Sequence, residues 1–169
     1  MALSVNPRDQ YWIQKKESTM KAKYVHTNLI AEDWQGLAKF YTDVFGCSLV
    51  PPERDYRGAD LDLAIGLKDA HLTGVHLRQP GWGDNGPTIE IYSYDQHQPH
   101  PGTVVNRPGF GHIAFEVDDV RKACQVMQAH GGGVLDEIVT LTTKVGTKVT
   151  WCYMTDPEGN ILELQSWSK

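Results

Sequence analysis

The sequence has few cysteines and no long apolar run. Only Cys47, Cys124 and Cys152 occur among 169 residues, and none lies in a CxxC spacing, which argues against a disulfide framework or a thiolate metal site. No apolar stretch approaches the roughly 18 residues that a membrane-spanning helix needs. Residues 1–20 also lack the apolar centre of a signal peptide. We therefore expect a cytoplasmic protein.

The chain also lacks a cluster of basic residues. Its 21 acidic and 16 basic residues are mixed along the sequence and give a net charge of −5. This pattern predicts binding to neither nucleic acid nor a membrane surface. With 40% apolar residues, the chain can form one compact domain or two small halves that share a core.

What the sequence does contain is an internal repeat. His26 in YVHTNLIAED and His112 in GFGHIAFEVDD are each followed seven residues later by an aspartate and twenty residues later by a glycine. Glu90 in GPTIEIYSY and Glu163 in GNILELQSW each have a glycine four residues before and a serine three residues after. A duplicated unit that repeats a histidine and a glutamate suggests a metal site built from two similar halves.

The repeat predicts the domain organisation. Residues 1–20 form an extension, a loose arm or helix that we expect at a subunit contact. Residues 21–95 form a first βαβββ module, 96–109 a Pro- and His-rich linker, and 110–169 a second βαβββ module. The predicted class is α+β, with the two modules forming a curved, incomplete-barrel mixed sheet and the helices on its outer face. Asp33 and Asp118 or Asp119 are predicted to cap the two helices, and 51–58 is predicted to be a loop.

Strand alternation predicts where the repeated residues point. Successive side chains of a strand face opposite sides of the sheet. Isoleucines flank Glu90 and leucines flank Glu163, so both glutamates should lie on the face away from the helices. His26 and His112 follow the same pattern. Two imidazoles and two carboxylates suit one divalent ion of zinc, nickel, cobalt, manganese or iron.

The two strand histidines, the segment FYTDVFG and the final DPEGNILEL resemble the vicinal oxygen chelate superfamily, which includes glyoxalase I, methylmalonyl-CoA epimerase, extradiol dioxygenases and bleomycin resistance proteins. The resemblance implies paired modules around a metal, within one chain or across a dimer, and we expect a homodimer. It also places His26, Glu90, His112 and Glu163 on the four ligand positions.

Glu90 bears on the branch of the superfamily, because dioxygenases do not need a carboxylate at this position. The resemblance therefore implies a lyase or isomerase of glyoxalase I or epimerase type, which moves a proton of a small-molecule substrate through a metal-bound enediolate. Glu163 is the first choice of base, Glu90 the second, and Glu53 a weaker candidate. The residues IYSYDQ after Glu90 lack the asparagine and glycine usual in glyoxalase I, so both substrate classes stay open. The alternatives are a ring-cleaving dioxygenase and a metal-free antibiotic-binding protein.

Substrate recognition has weaker signals. Arg54, Arg57 and Arg78 are candidates to bind an anionic group, and Tyr92 and Trp167 are candidates to line the pocket. His26 and Glu90 are 64 positions apart, whereas His112 and Glu163 are 51 apart. The 13 extra residues are predicted to lie in the 51–70 or 80–86 loops. Three other histidines without a counterpart in the other repeat receive no role: His71, His76 and His130.

Overall fold

The computed structural model describes residues 21–169, so the predictions for residues 1–20 fall outside the described part. The first module consists of β1 (His26–Ile30), α1 (Trp34–Phe45), β2 (Ser48–Arg57), α2 (Ala59–Ile65), β3 (His71–Arg78) and β4 (Thr88–Tyr94). The second consists of β5 (Ile113–Glu116), α3 (Val120–Ala129), β6 (Gly133–Val134), β7 (Val139–Thr142), β8 (Lys148–Thr155) and β9 (Ile161–Ser168).

The strands form two mixed sheets with matching topology. The first sheet has the order β1-β4-β3-β2 and the second the order β5-β9-β8-β6, with β7 also paired to β8. In each sheet the first strand of the module runs parallel to its last strand, and the other pairs are antiparallel. The predicted α+β class with two βαβββ modules is confirmed.

The main helices begin at the predicted caps. Asp33 accepts a hydrogen bond from the backbone N–H of Gly36 at 3.0 Å, and Asp119 accepts one from the N–H of Lys122 at 3.1 Å. These bonds satisfy donors that the first turn of a helix leaves free. Gly46 ends α1 in the left-handed region, with φ of 70°, where a side chain would be strained. Between residues 21 and 169 we find no helix of the length and apolarity needed to cross a membrane.

The predicted loop at 51–58 is wrong for most of its length. β2 continues through Pro51 and Pro52 to Arg57, and its pairing with β3 shifts register between Val50 and Arg54. Proline cannot donate to a sheet ladder, and it is tolerated here because β2 is an edge strand. The sequence rule that equates a proline pair with a loop takes no account of edge strands.

One apolar core joins the two modules. It includes the inward residues of both sheets and of α1 and α3. Phe45 at the end of α1 stacks on Phe115 of β5, with ring centroids 3.9 Å apart. The hydroxyl of Tyr41 on α1 donates to the buried carboxylate of Asp156, in the turn between β8 and β9, at 3.0 Å. Each module therefore helps to bury core side chains of the other.

Replacing Tyr41 with phenylalanine tests this junction. The Tyr41 side chain is fully buried. The substitution deletes its hydroxyl, which is one of the donors to the Asp156 carboxylate. Leaving a buried acceptor short of a partner costs about 1–3 kcal/mol, so we expect the free energy of unfolding in urea to fall by that amount. Tyr56→Phe, at an exposed tyrosine, is the matched control and should change little. Equal stability of the two variants would contradict this role of the Tyr41 hydroxyl.

Candidate functional site

The two glutamates lie at equivalent places in the two sheets. Glu90 is in β4, opposite Asn28 of the parallel strand β1. Glu163 is in β9, opposite Ala114 of the parallel strand β5. The aliphatic neighbours of both glutamates along their strands are fully buried in the core. Since side chains alternate along a strand, both carboxylates project from the face opposite the core.

Each glutamate is paired with the histidine of its own module. His26 Nε2 lies 3.3 Å from Glu90 Oε2, and His112 Nε2 lies 3.4 Å from Glu163 Oε2. The histidine side chains are 41% and 36% exposed, whereas the glutamate side chains are only 12% and 19% exposed. Two carboxylates that are mostly covered from water are thus placed beside two accessible imidazoles.

The spacing within each pair fits coordination of a metal ion. Two donors bound to one ion at about 2.0–2.2 Å, with angles between octahedral and tetrahedral, lie about 2.8–3.5 Å apart. Both His–Glu distances fall in this range. In the described part of the chain, however, no group of three or more His, Cys, Asp or Glu side chains is arranged to hold a metal ion. The structure brings the four predicted ligands together as two pairs, one in each module.

His76, for which no role was predicted, is the nearest additional polar neighbour of Glu90. Its Nε2 lies 3.0 Å from Glu90 Oε1 and 2.7 Å from the hydroxyl oxygen of Tyr92. Asn28 Nδ2 donates to Glu90 Oε2 at 3.3 Å. The alternation rule could have found His76, because buried Val75 and Leu77 flank it as isoleucines flank Glu90. No histidine of the second repeat corresponds to His76, because the residue opposite Glu163 is a tyrosine, Tyr153.

Burial sets the protonation of the groups around the glutamates. It lowers the pKa of His76, although the charge of Glu90 opposes this effect, so the ring is neutral near pH 7. Burial, followed by the charge of Glu90, raises the pKa of Tyr92 to about 12. Burial and then Glu163 likewise raise the pKa of Tyr153. Both phenols therefore keep their hydrogens at neutral pH and can donate.

Comparison with known proteins identifies the family. The family model of the Glyoxalase/Bleomycin resistance protein/Dioxygenase superfamily matches residues 23–164. The chain belongs to this superfamily. The sequence resemblance noted above is thereby confirmed.

Individual relatives agree with this assignment. A lactoylglutathione lyase of Haemophilus influenzae is 31% identical over 143 residues, which cover 82% of this chain and 88% of the relative. A probable lactoylglutathione lyase of Vibrio parahaemolyticus is 31% identical over 145 residues, covering 84% of this chain and 88% of the relative. Among solved structures, a glyoxalase family protein from Bacillus cereus superposes with a TM-score of 0.77 at 16% identity, covering 92% of this chain and 100% of that one.

The predicted substrate residues of this superfamily member divide into two groups. Arg54 and Arg78 share the Glu90 face, since they stand in register with residues of β3 and β4 that lie on it. Arg78 donates to the carbonyl of Gly86, and Arg54 donates to that of Pro52. Tyr92 is on the same face, and Trp167 lies two positions beyond Gln165 on the Glu163 face, where it is half exposed.

Arg57 has different neighbours. Its guanidinium contacts Asp55 at 3.3 Å and the Nε2 atom of His71 at 2.9 Å. The His71 ring lies between two carboxylates, 2.8 Å from Asp95 and 3.0 Å from Asp55. The structure thus places Arg57 in a surface ionic cluster at the other end of β3, away from the glutamates. Glu53 is exposed on β2.

A groove of about 930 Å³ is formed jointly by the two modules. It is bounded by residues before and in β1, by the loop between β3 and β4, and by β5 and β9. Tyr24 and Trp82 contribute exposed aromatic rings. Trp82 belongs to the 80–86 loop, one of the two segments in which the extra length of the first repeat was predicted.

His71 predicts a pH dependence of stability that is independent of the glutamates. Hydrogen bonding to Asp95 and then to Asp55 raises its pKa above the ordinary value of 6.5. A raised pKa in the folded state means a contribution to stability that is complete below pH 6.5 and is lost as pH rises through the folded value. We expect the melting temperature to fall over that interval, and His71→Gln to flatten the slope. An unchanged slope in the variant would contradict this assignment; His130→Gln, at an exposed histidine, is the control.

Proposed function

We propose that the protein is a divalent-metal-dependent lyase or isomerase of glyoxalase type that moves a proton within a small carbonyl substrate. The observation that carries this proposal is the pair of His–Glu contacts at equivalent places in two modules, each with the spacing of neighbouring metal ligands. The lactoylglutathione lyases that match most of the chain support the same reaction type.

The residues that would hold the metal are His26, Glu90, His112 and Glu163. Two neutral imidazoles and two carboxylates balance the charge of one divalent ion, and this donor set suits zinc, nickel, cobalt, manganese or iron. When bound, such an ion stabilises negative charge that develops on a substrate oxygen and so makes the neighbouring carbon easier to deprotonate. Both glutamate side chains are mostly shielded from water. Because a buried carboxylate without a cation is costly, this burial favours a bound metal ion.

Glu163 is the proposed base, and Glu90 is the second candidate. Glu90 is held by contacts with His26, His76 and Asn28. Glu163 contacts His112 and interacts with Tyr153, which lies opposite it. Its neighbour on β5 is an alanine, whose side chain cannot hydrogen-bond. Because Glu163 has fewer restraints, it can leave a ligand position more readily, take a proton from the substrate and return it elsewhere.

Substrate binding is proposed for the residues that share the glutamate faces. Arg54 and Arg78 would bind an anionic group of the substrate, because a guanidinium offers paired donors to a carboxylate or phosphate. Tyr92 and Trp167 would line the pocket around the reacting carbons. Arg57 is the weakest of the predicted substrate residues, since its guanidinium already pairs with Asp55.

Two half-sites per chain favour a homodimer in which the first module of one copy meets the second module of the other. A two-fold arrangement brings the same two surfaces together twice and would complete two sites at once. This arrangement accounts for the separation of the four ligands into pairs within one chain.

Replacement of Glu163 by glutamine tests the base. The amide cannot take a proton, so exchange of a substrate proton with deuterated solvent should fall by about 100- to 10,000-fold. The measurement uses metal-loaded protein and a panel of hemithioacetal and acyl-CoA substrates. Glu137→Gln, at an exposed glutamate, should exchange at the wild-type rate. Exchange that persists in Glu163→Gln would exclude it as the base, and wild-type protein that takes up no divalent metal would overturn the proposed function.

Mixing two inactive variants tests the dimer. His26→Ala and His112→Ala each damage every site in their own homodimers. In a mixed dimer closed across the interface, one site carries both changes and the other carries neither. We expect refolding of an equimolar mixture to restore metal binding and proton exchange in part. No recovery, with mixed dimers present by native mass spectrometry, would show that the sites close within one chain.

A further inference from the structure

We propose that His76 is a positioning residue that fixes the carboxylate of Glu90, so that the oxygen facing His26 is oriented for a metal ion. This role rests on the proposed function. His76 lies outside the repeated set of two histidines and two glutamates, and no role was predicted for it from the sequence.

The sheet places His76 beside Glu90. The two residues are direct partners in the antiparallel pairing of β3 and β4, so their side chains rise from the same face a short distance apart. The core residues on either side of His76, Val75 and Leu77, are almost fully buried and anchor this part of β3. The backbone that carries the imidazole is therefore anchored to the core.

The two oxygens of the Glu90 carboxylate have different partners. Glu90 Oε1 lies 3.0 Å from His76 Nε2, whereas Oε2 lies 3.3 Å from His26 Nε2. Each oxygen has its own imidazole. Because the contact at Oε1 limits rotation of the carboxylate, Oε2 stays directed toward His26.

The hydrogen bond of His76 fixes the orientation of its imidazole. Nε2 forms this bond with the hydroxyl of Tyr92 at 2.7 Å, and Tyr92 lies on the same face of β4 as Glu90. With the ring held in this way, the 3.0 Å approach of Nε2 to Glu90 Oε1 is a polar contact at a defined place. Nε2 is thus occupied by two protein neighbours and acts on Glu90 as a positioning contact.

The second module has a different residue at the position of His76. The residue paired with Glu163 in the same position is Tyr153, so the repeat keeps the ligand pair and changes the residue that supports the carboxylate. In this proposal, His76 makes Glu90 the metal ligand with the more fixed orientation. Supporting residues of this kind usually change metal affinity by about 10- to 100-fold when they are lost.

The test compares His76→Leu with His76→Gln in the full-length protein. Leucine removes the polar contact with Glu90, whereas the glutamine amide can place a nitrogen near the position of Nε2. Affinity for Co²⁺ is measured by competition with a chromophoric chelator, and the visible spectrum of bound Co²⁺ reports the ligand geometry. We expect His76→Leu to bind Co²⁺ about 10- to 100-fold more weakly with an altered spectrum, and His76→Gln to stay close to wild type.

His71→Leu is the matched control, since it makes the same change on the same strand within the surface ionic cluster. It should lower the melting temperature without changing Co²⁺ affinity or the spectrum. If wild type binds Co²⁺ and His76→Leu binds it equally well, this role of His76 is overturned while the proposed function stands. If His76→Gln is as weak as His76→Leu, the imidazole itself is required and the positioning role is overturned. If wild type takes up no Co²⁺ or other divalent ion, both proposals fall together.

Discussion

The site depends on one constraint, the alternation of side chains along β4 and β9. Ile89 and Ile91 in the first module, and Leu162 and Leu164 in the second, have no measurable exposure. Burying these four aliphatic side chains fixes the register of both strands, because a slip of one residue would place a carboxylate in the core and an aliphatic side chain outside it. Glu90 and Glu163 are consequently held on the opposite face by the same burial that stabilises the fold.

The two modules use this constraint differently. In the first, three polar side chains approach Glu90 from neighbouring strands: His26, Asn28 and His76. In the second, two such side chains approach Glu163, His112 and Tyr153, and an alanine stands in the place of Asn28. A symmetric repeat thus gives Glu90 more polar contacts than Glu163. A reaction that needs both a stable ligand and a movable base would make use of that difference.

Much of this arrangement could be predicted from the sequence, because it follows from local rules. The caps at Asp33 and Asp119 depend on side chains a few residues from the helix start, and the glutamate face follows from the nearest neighbours along the strand. The path of β2 through Pro51 could not be predicted, since it depends on β2 being an edge strand. The contact between His76 and Glu90 depends on the pairing of β3 with β4, and a single sequence does not reveal which residues are opposite one another.

The packing of the two modules leaves both glutamates outside the shared core. α1 contributes Tyr41 and Phe45, which contact Asp156 and Phe115 of the second module, and the inward faces of both sheets belong to one core. The faces that carry Glu90 and Glu163 are therefore the faces opposite this core, and the dimer proposed above would supply the surface that each half-site lacks.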